Sequence, residues 1–188
     1  MRYAFDMQLI INLVKRDQLR LRALECVRQL NLPQCYIAAG FVRNLVWDHL
    51  HQYQQTTALT DVDVIYFDSN EDQQSRYLTI EQELRQKMPE LTWQVRNQAY
   101  MHQRNGDTPY TSTLDAMRFW PEKETAVAIR LISANTFDCI SAFGFDSLLN
   151  LQITHNTKRQ LEVFEKRIES KNWLILWPKL SIVSGCMD

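Results

Sequence analysis

The residues best placed to do chemistry are Asp61 and Asp63, separated by Val62 at the head of the apolar run Asp61-Val62-Asp63-Val64-Ile65-Tyr66-Phe67. The run is rich in β-branched and aromatic residues, so residues 61–67 are predicted to form a strand. Side chains two apart on a strand share a face, with Cα atoms roughly 6–7 Å apart. Two carboxylates aimed at one point repel unless a cation lies between them. Mg²⁺ suits such a site, because it takes one or two carboxylates, keeps waters and completes its shell with phosphate oxygens. The competing arrangement is a solvated strand end whose acids blunt an edge.

About twenty residues earlier stands Ala38-Ala39-Gly40-Phe41-Val42-Arg43-Asn44. Residues 35–39 read as a short buried strand, and Val42, Leu45, Val46, His49 and Leu50 recur at helical spacing after it. Gly40 therefore sits where a strand turns into a helix. A residue without Cβ lets a ligand approach the backbone, and the helix N-terminus offers free N–H groups to an anion. Arg43 falls in the first helical turn, where a cation opposes the helix dipole. A bound polyphosphate would reverse that penalty, since guanidinium forks onto phosphate oxygens. The alternative is that Arg43 pairs with Asp48 or with an acid of the following strand.

The remaining chain must hold these two segments together. Residues 6–31 read as helix in two pieces, with Asp17 capping the second and Asn31-Leu32-Pro33 stopping it. The stretch 71–88 reads as a solvated helix, 91–98 as a third strand, and 101–111 as a loop. Ser112 and Asp115 resemble a capping box for a helix ending at Pro121. Residues 125–132 and 136–141 read as a hairpin turning at Ala134-Asn135. Helix returns from Phe145, with its last clear segment at 157–171, and Trp173, Trp177 and Pro178 form an aromatic tail that packs back. The expected class is α+β, an α/β mixed sheet with flanking helices, because the hairpin is incompatible with a purely parallel sheet. One domain over residues 1–188 is expected: N-terminal helices at about 6–31, a sheet core at about 35–141 and a helical part at about 145–180.

Composition sets limits. The 188 residues are 45% hydrophobic and 23% charged, with a net charge of −1. A domain gripping extended DNA or RNA usually carries excess Lys and Arg, so extended nucleic-acid binding is not expected. Cys26, Cys35, Cys139 and Cys186 show no CxxC spacing, which favours reduced thiols over a zinc or redox site. No apolar run reaches membrane length and the start of the chain lacks a signal-peptide pattern. A cytoplasmic protein is expected, with no membrane partner.

The Gly40-Phe41-Val42-Arg43-Asn44 and Asp61-Val62-Asp63 segments resemble the nucleotidyltransferase superfamily of the DNA polymerase β type, and most of all the core of CCA-adding enzymes. With Val42–Asp48, Asp61–Asp68, Asn97–His102 and Phe143–Asp146, the chain is similar to a small bacterial nucleotidyltransferase-like family over roughly residues 30–180. The resemblance implies a nucleotidyltransferase-like fold and Mg²⁺-dependent transfer of a nucleoside monophosphate from an NTP to a hydroxyl, with Mn²⁺ as a substitute metal. Asp61 and Asp63 would be catalytic and metal-binding; Gly40, Arg43 and Asn44 would bind substrate. Asn97, Gln98 and His102, following a strand, could also reach substrate or instead form a polar turn network. The acceptor could be a small molecule, a protein or an RNA.

Two departures from the pattern bear on activity. The usual Gly-Gly or Gly-Ser turn is Ala39-Gly40-Phe41 here, and residues 93–97 contain no third acid, leaving Asp138 as a distant candidate. A catalytically weak nucleotide-binding or regulatory module, or a toxin–antitoxin-type partner of the same fold, are therefore alternatives to an enzyme. Trp47 could stack on a base or simply pack. Arg118, Arg130, Lys158 and Arg159 could rim a phosphate site. His49 and His51 are two apart on a helix and cannot share a face, which leaves no zinc pair.

Overall fold

The computed structural model describes residues 2–73 and 75–184; Cys186 lies outside them. Helices α1 (Arg2–Lys15) and α2 (Gln18–Arg28) come first. Asp17 caps α2 as expected, accepting from Arg20 N at 3.0 Å. Then follow β1 (Tyr36–Ala38), α3 (Gly40–Leu50), β2 (Asp61–Tyr66), α4 (Arg76–Lys87), β3 (Thr92–Asn97), α5 (Gln98–Asn105) and α6 (Thr113–Met117). A 3₁₀ turn at Lys123–Thr125 leads into β4 (Val127–Ser133) and β5 (Thr136–Ser141). The chain continues through α7 (Asp146–Leu149), β6 (Gln152–Thr154), α8 (Leu161–Lys171), α9 (Trp173–Leu176) and β7 (Ser181–Val183).

Among the described residues the main sheet runs β3-β2-β1-β4-β5. It is mixed: β2 and β3 are parallel, while β1–β2, β1–β4 and β4–β5 are antiparallel. The antiparallel β1–β2 pair sets Ala38 opposite Asp63. The end of β1, where the glycine turn begins, is thereby laid beside the start of β2, where the carboxylates stand.

Three expectations need correction. The loop placed at 101–111 is largely helix, because the Asn97 side chain accepts from Ala99 N at the start of α5 and Gly106 closes it at φ 70°. The helix expected from Phe145 is only α7, followed by β6, which pairs in parallel with β7. Both strands are three residues long, too short for a period to show. Helices α6 and α8 are also shorter than read, ending at Met117 and starting at Leu161.

Helix α3 is the hub. Phe41, Val42, Leu45, Val46 and Trp47 are buried on it, and so are Arg43 and Asp48. Arg20 of α2 donates from Nε to Phe41 O at 2.9 Å, fixing the first turn of α3. The aromatic tail does pack back: Trp47 meets Trp173 and Trp177 edge-on, with centroids 6.0 and 5.2 Å apart. Three polar ties hold the tail there. Trp177 Nε1 donates to Asp48 Oδ1 at 2.8 Å, Lys179 N donates to His51 Nε2 at 3.0 Å, and Tyr53 Oη donates to Leu176 O at 2.6 Å. His51 Nδ1 must then carry its proton toward Trp47 O, at 2.7 Å.

Asp48 also accepts from Thr57 N at 2.8 Å and Thr57 Oγ1 at 3.0 Å. One buried carboxylate thus ties α3 both to the tail and to the segment leading into β2. Removing it strands the buried Trp177 N–H and the Thr57 donors. Asp48→Ala is expected to cost about 3 kcal/mol of stability in urea denaturation, from unpartnered donors at about 1–3 kcal/mol each. Asp48→Asn, which keeps one acceptor, is expected to lose less.

Candidate active site

A cleft of about 730 Å³ opens where α3, β2, β3 and the C-terminal segment meet. Its floor is Gly40, Arg43 and Asn44 of α3 with Asp61 and Asp63 of β2 and Gln94 of β3. Thr57 and Thr60 form one side, Trp120 and Thr125 another, and α8 and α9 contribute Arg167, Lys171, Trp173 and Trp177. The structure therefore brings together five of the residues named from sequence: Gly40, Arg43, Asn44, Asp61 and Asp63.

Asn97, Gln98 and His102 are elsewhere. Parallel pairing sets Asp61 against Thr92 and Asp63 against Gln94, so Asn97 lies opposite Tyr66, at the far end of β2. At about 3.3 Å per residue that is on the order of 10 Å beyond Asp63 along the strand. Asn97 is a helix cap that also accepts from Asp68 N at 3.1 Å and donates to Asp68 O at 2.8 Å. Gln98 donates to Arg96 O at 3.3 Å, and His102 Nδ1 is 2.8 Å from Ala99 O. All three side chains bond to backbone groups, those of Asp68, Arg96 and Ala99, away from the cleft lining. The residue that stands beside Asp63 on β3 is the exposed Gln94, a neutral amide where a third acid would fit.

The turn into α3 is unusual. Ala39 has φ 56° and ψ −122°, a region that L residues with a Cβ seldom occupy. It is held on both sides: Ala39 N donates to Val127 O at 2.9 Å, and Ala39 O accepts from Val42 N and Arg43 N at 3.1 and 2.9 Å. Ala39 supplies no side-chain cap to α3, and Val42 N and Arg43 N are spent on Ala39 O, so it is the N–H groups of Gly40 and Phe41 that are left for another acceptor. At Gly40 a Cβ would come within 3.3 Å of Asn44 Nδ2 and 3.6 Å of Arg43 Nη2. Glycine leaves those two side chains their room.

Arg43 is buried, 6% exposed. Its Nη1 donates to Thr125 Oγ1 at 2.6 Å, and Nη2 and Nε donate to Asn44 Oδ1 at 2.9 and 3.2 Å. Its guanidinium carbon lies 5.0 Å from the Trp47 ring centroid and 4.5 Å from that of Trp173. Neither ion pair considered for it forms; Asp48 is occupied as described, and among the described residues no carboxylate oxygen lies within 4.0 Å of Arg43. Burial lowers its pKa to about 10, while the fields of Glu122, Asp63 and Glu124 act against that. It remains a cation at neutral pH. Trp47, fully buried under it, is packing and a platform for the cation rather than a base-stacking surface.

Asp63 is mostly withdrawn from solvent, and its proton affinity is raised above the ordinary carboxylate value. Desolvation is the largest cause and Asp61 adds to it, while Arg43, Lys171 and Arg167 oppose it. Hard oxygen donors that repel each other fit a divalent cation such as Mg²⁺. Among the described residues no group of three or more His, Cys, Asp or Glu side chains is gathered for a metal, so a metal held here would draw its other oxygens from water and substrate.

The cations named from sequence as a rim do other work. Arg159 binds Asp107, with Nη1 to Oδ1 at 2.8 Å, and Arg130 pairs with Asp138 at 2.8 Å. Lys158 lies over Phe119, and Arg118 is near Asp115. Asp138, also tied to Tyr36 Oη at 2.8 Å, is not a third acid of the cleft. The cations that line the cleft with Arg43 are Arg167 and Lys171 of α8. Their four-residue spacing on a helix was readable, but which face of α8 meets the cleft was not. Cys26, Cys35 and Cys139 are free thiols.

Two outcomes are expected from this geometry. Ala39→Gly relieves about 1–3 kcal/mol of backbone strain against about 0.4–1 kcal/mol of added unfolded-chain entropy, so it should raise the urea midpoint. Asp63→Asn removes a desolvated charge and should stabilise the metal-free protein at neutral pH. A raised folded pKa means that ionised Asp63 costs stability in full above that pKa, and the cost shrinks as pH falls through it and is gone below the ordinary carboxylate value of the unfolded chain. The advantage of Asp63→Asn should therefore fade as pH falls, in denaturation curves recorded across the acid range.

A nucleotidyltransferase family model matches residues 25–182. A protein solved by NMR, described as revealing a CCA-adding enzyme head domain, superposes with a TM-score of 0.83 at 32% identity, covering 95% of this chain and 96% of that one. No curated protein sequence matches. Among the described residues no helix is long and apolar enough to cross a membrane. The family model spans the glycine turn, the carboxylate strand and the C-terminal wall of the cleft, and the chain belongs to the nucleotidyltransferase family.

Proposed function

We propose that this protein transfers a nucleoside monophosphate from a Mg²⁺-bound NTP to a hydroxyl acceptor. The observation that carries the reading is the meeting of Asp61 and Asp63 with the uncapped start of α3 in one cleft. The cleft volume of about 730 Å³ lies within the range of small-molecule sites. In the reaction the acceptor oxygen bonds to the α-phosphorus, the bond to the pyrophosphate oxygen breaks, and the hydroxyl proton leaves to solvent.

Asp61 and Asp63 would hold the metal, which when bound lowers the acceptor hydroxyl's pKa and neutralises charge on the leaving pyrophosphate. The first-turn N–H groups of α3 at Gly40 would receive a phosphate oxygen. Arg43 would act as a fixed positive charge beneath the phosphates, while its bonds to Asn44 and Thr125 keep the floor rigid. Mn²⁺ would substitute for Mg²⁺ on the same oxygens. A net charge of −1 suits a small molecule, a protein or a short RNA end as acceptor better than an extended nucleic acid.

Gln94 beside Asp63 favours a second reading, a module that binds NTP and turns over weakly. Pyrophosphate release from ATP, CTP, GTP and UTP with Mg²⁺, together with calorimetry, separates the two. Release supports the enzyme, binding without release supports the module, and no binding of any NTP defeats both. Asp61→Asn with Asp63→Asn is expected to abolish Mg²⁺-dependent NTP binding while the far-UV spectrum and fold persist.

A further inference from the structure

We propose that Arg167 and Lys171 of α8 form a clamp for the terminal phosphates of a nucleoside triphosphate, with Glu122 as the residue that positions Arg167. The proposal deepens the reading above and rests on it for the nucleotide, but not for the anion.

The two cations are four apart on one helix, so they lie one above the other on the same face. Both line the cleft that holds Asp61 and Asp63. Arg167 donates from Nε to Glu122 Oε1 and from Nη2 to Glu122 Oε2, the latter at 3.2 Å. The Glu122 side chain is 1% exposed and that of Arg167 36%. A buried carboxylate therefore fixes one edge of the guanidinium. Of its five N–H groups, Nη1 and one proton of Nη2 remain for a phosphate. Lys171 is exposed and, among the described residues, has no carboxylate oxygen within 4.0 Å.

The lining carries three cations, Arg43, Arg167 and Lys171, against two carboxylates, in a protein whose net charge is −1. The fields of Lys171 and Arg167 reach Asp63 and favour its ionised form. Arg43 has committed most of its donors to Thr125 and Asn44, so α8 supplies the cations with donors to spare. The clamp needs no metal, which makes it separable from the carboxylate site.

The test is calorimetry on the full chain with inorganic tripolyphosphate, ATP and AMP, in the absence of Mg²⁺. Lys171→Gln is expected to weaken tripolyphosphate and ATP about tenfold, the scale of one hydrogen bond to a charged group, and to leave AMP unchanged. Arg167→Gln alone would strand a buried charge at Glu122, so Glu122→Gln with Arg167→Gln is used and should act likewise. Lys166→Gln makes the same charge change on α8 at a residue paired with Glu162, and should have no effect.

A wild type that does not bind tripolyphosphate, unchanged affinities in both clamp variants, equal losses for AMP, or an equal loss in Lys166→Gln would each overturn the clamp. Failure of the carboxylate reading looks different: Mg²⁺-ATP binding would survive Asp61→Asn with Asp63→Asn, while tripolyphosphate binding still depended on Lys171.

Discussion

The structure is organised around a buried positive charge. Arg43 stands in the first turn of α3, where the helix dipole disfavours it, and burial disfavours it further. No carboxylate among the described residues touches it. What it has instead is two indole faces, a hydroxyl and an amide oxygen. A desolvated cation–π contact contributes about 2 kcal/mol, and hydrogen bonds from a charged donor about 1.5–3 kcal/mol. These terms hold the cation without neutralising it. A positive potential is thus built into the floor of the cleft, beside helix N–H groups of the same polarity.

That arrangement draws on segments far apart in the chain. Trp47 and Asn44 come from α3, Thr125 from the turn before β4, and Trp173 from α9. Asp48, one turn beyond Asn44, fastens Trp177 and Thr57. The C-terminal segment is therefore part of the site's wall as much as the sheet is. The antiparallel β1–β2 register completes the assembly by laying Asp63 beside Ala38. The carboxylates then face the cation across the space that a metal-bound polyphosphate would fill.

The parts legible in the sequence were those fixed by local chemistry. A glycine at a strand–helix junction, an alternating DxD strand and an Asp17 cap each state their geometry within a few residues, and each stands where it was expected. What depended on register or docking was not legible. Asn97, Gln98 and His102 follow a strand, but only the parallel β2–β3 pairing reveals that this strand's end points away from the acids. Arg118, Arg130, Lys158 and Arg159 had as good a claim to a rim as Arg167 and Lys171. The orientation of α8, set by Phe164 in the core and Arg167 on Glu122, decided between them. Helix α5 was missed because its signal was a cap at each end, Asn97 and Gly106, with little apolar periodicity between.

Ala39 ties these levels together. Its backbone geometry suits glycine, yet it carries a methyl, and the turn survives because three backbone hydrogen bonds over-determine it. Such strain persists only where the surroundings insist on it. Here the surroundings are β4 on one side and the first turn of α3 on the other, the two elements that bring Thr125 and Arg43 within 2.6 Å. The turn is thus held by the same framework that buries the cation. A residue that strained the turn enough to release Ala39 O from Arg43 N would also loosen Arg43 from Thr125. Departure from the Gly-Gly or Gly-Ser pattern is compatible with an intact cleft floor so long as that framework stays closed.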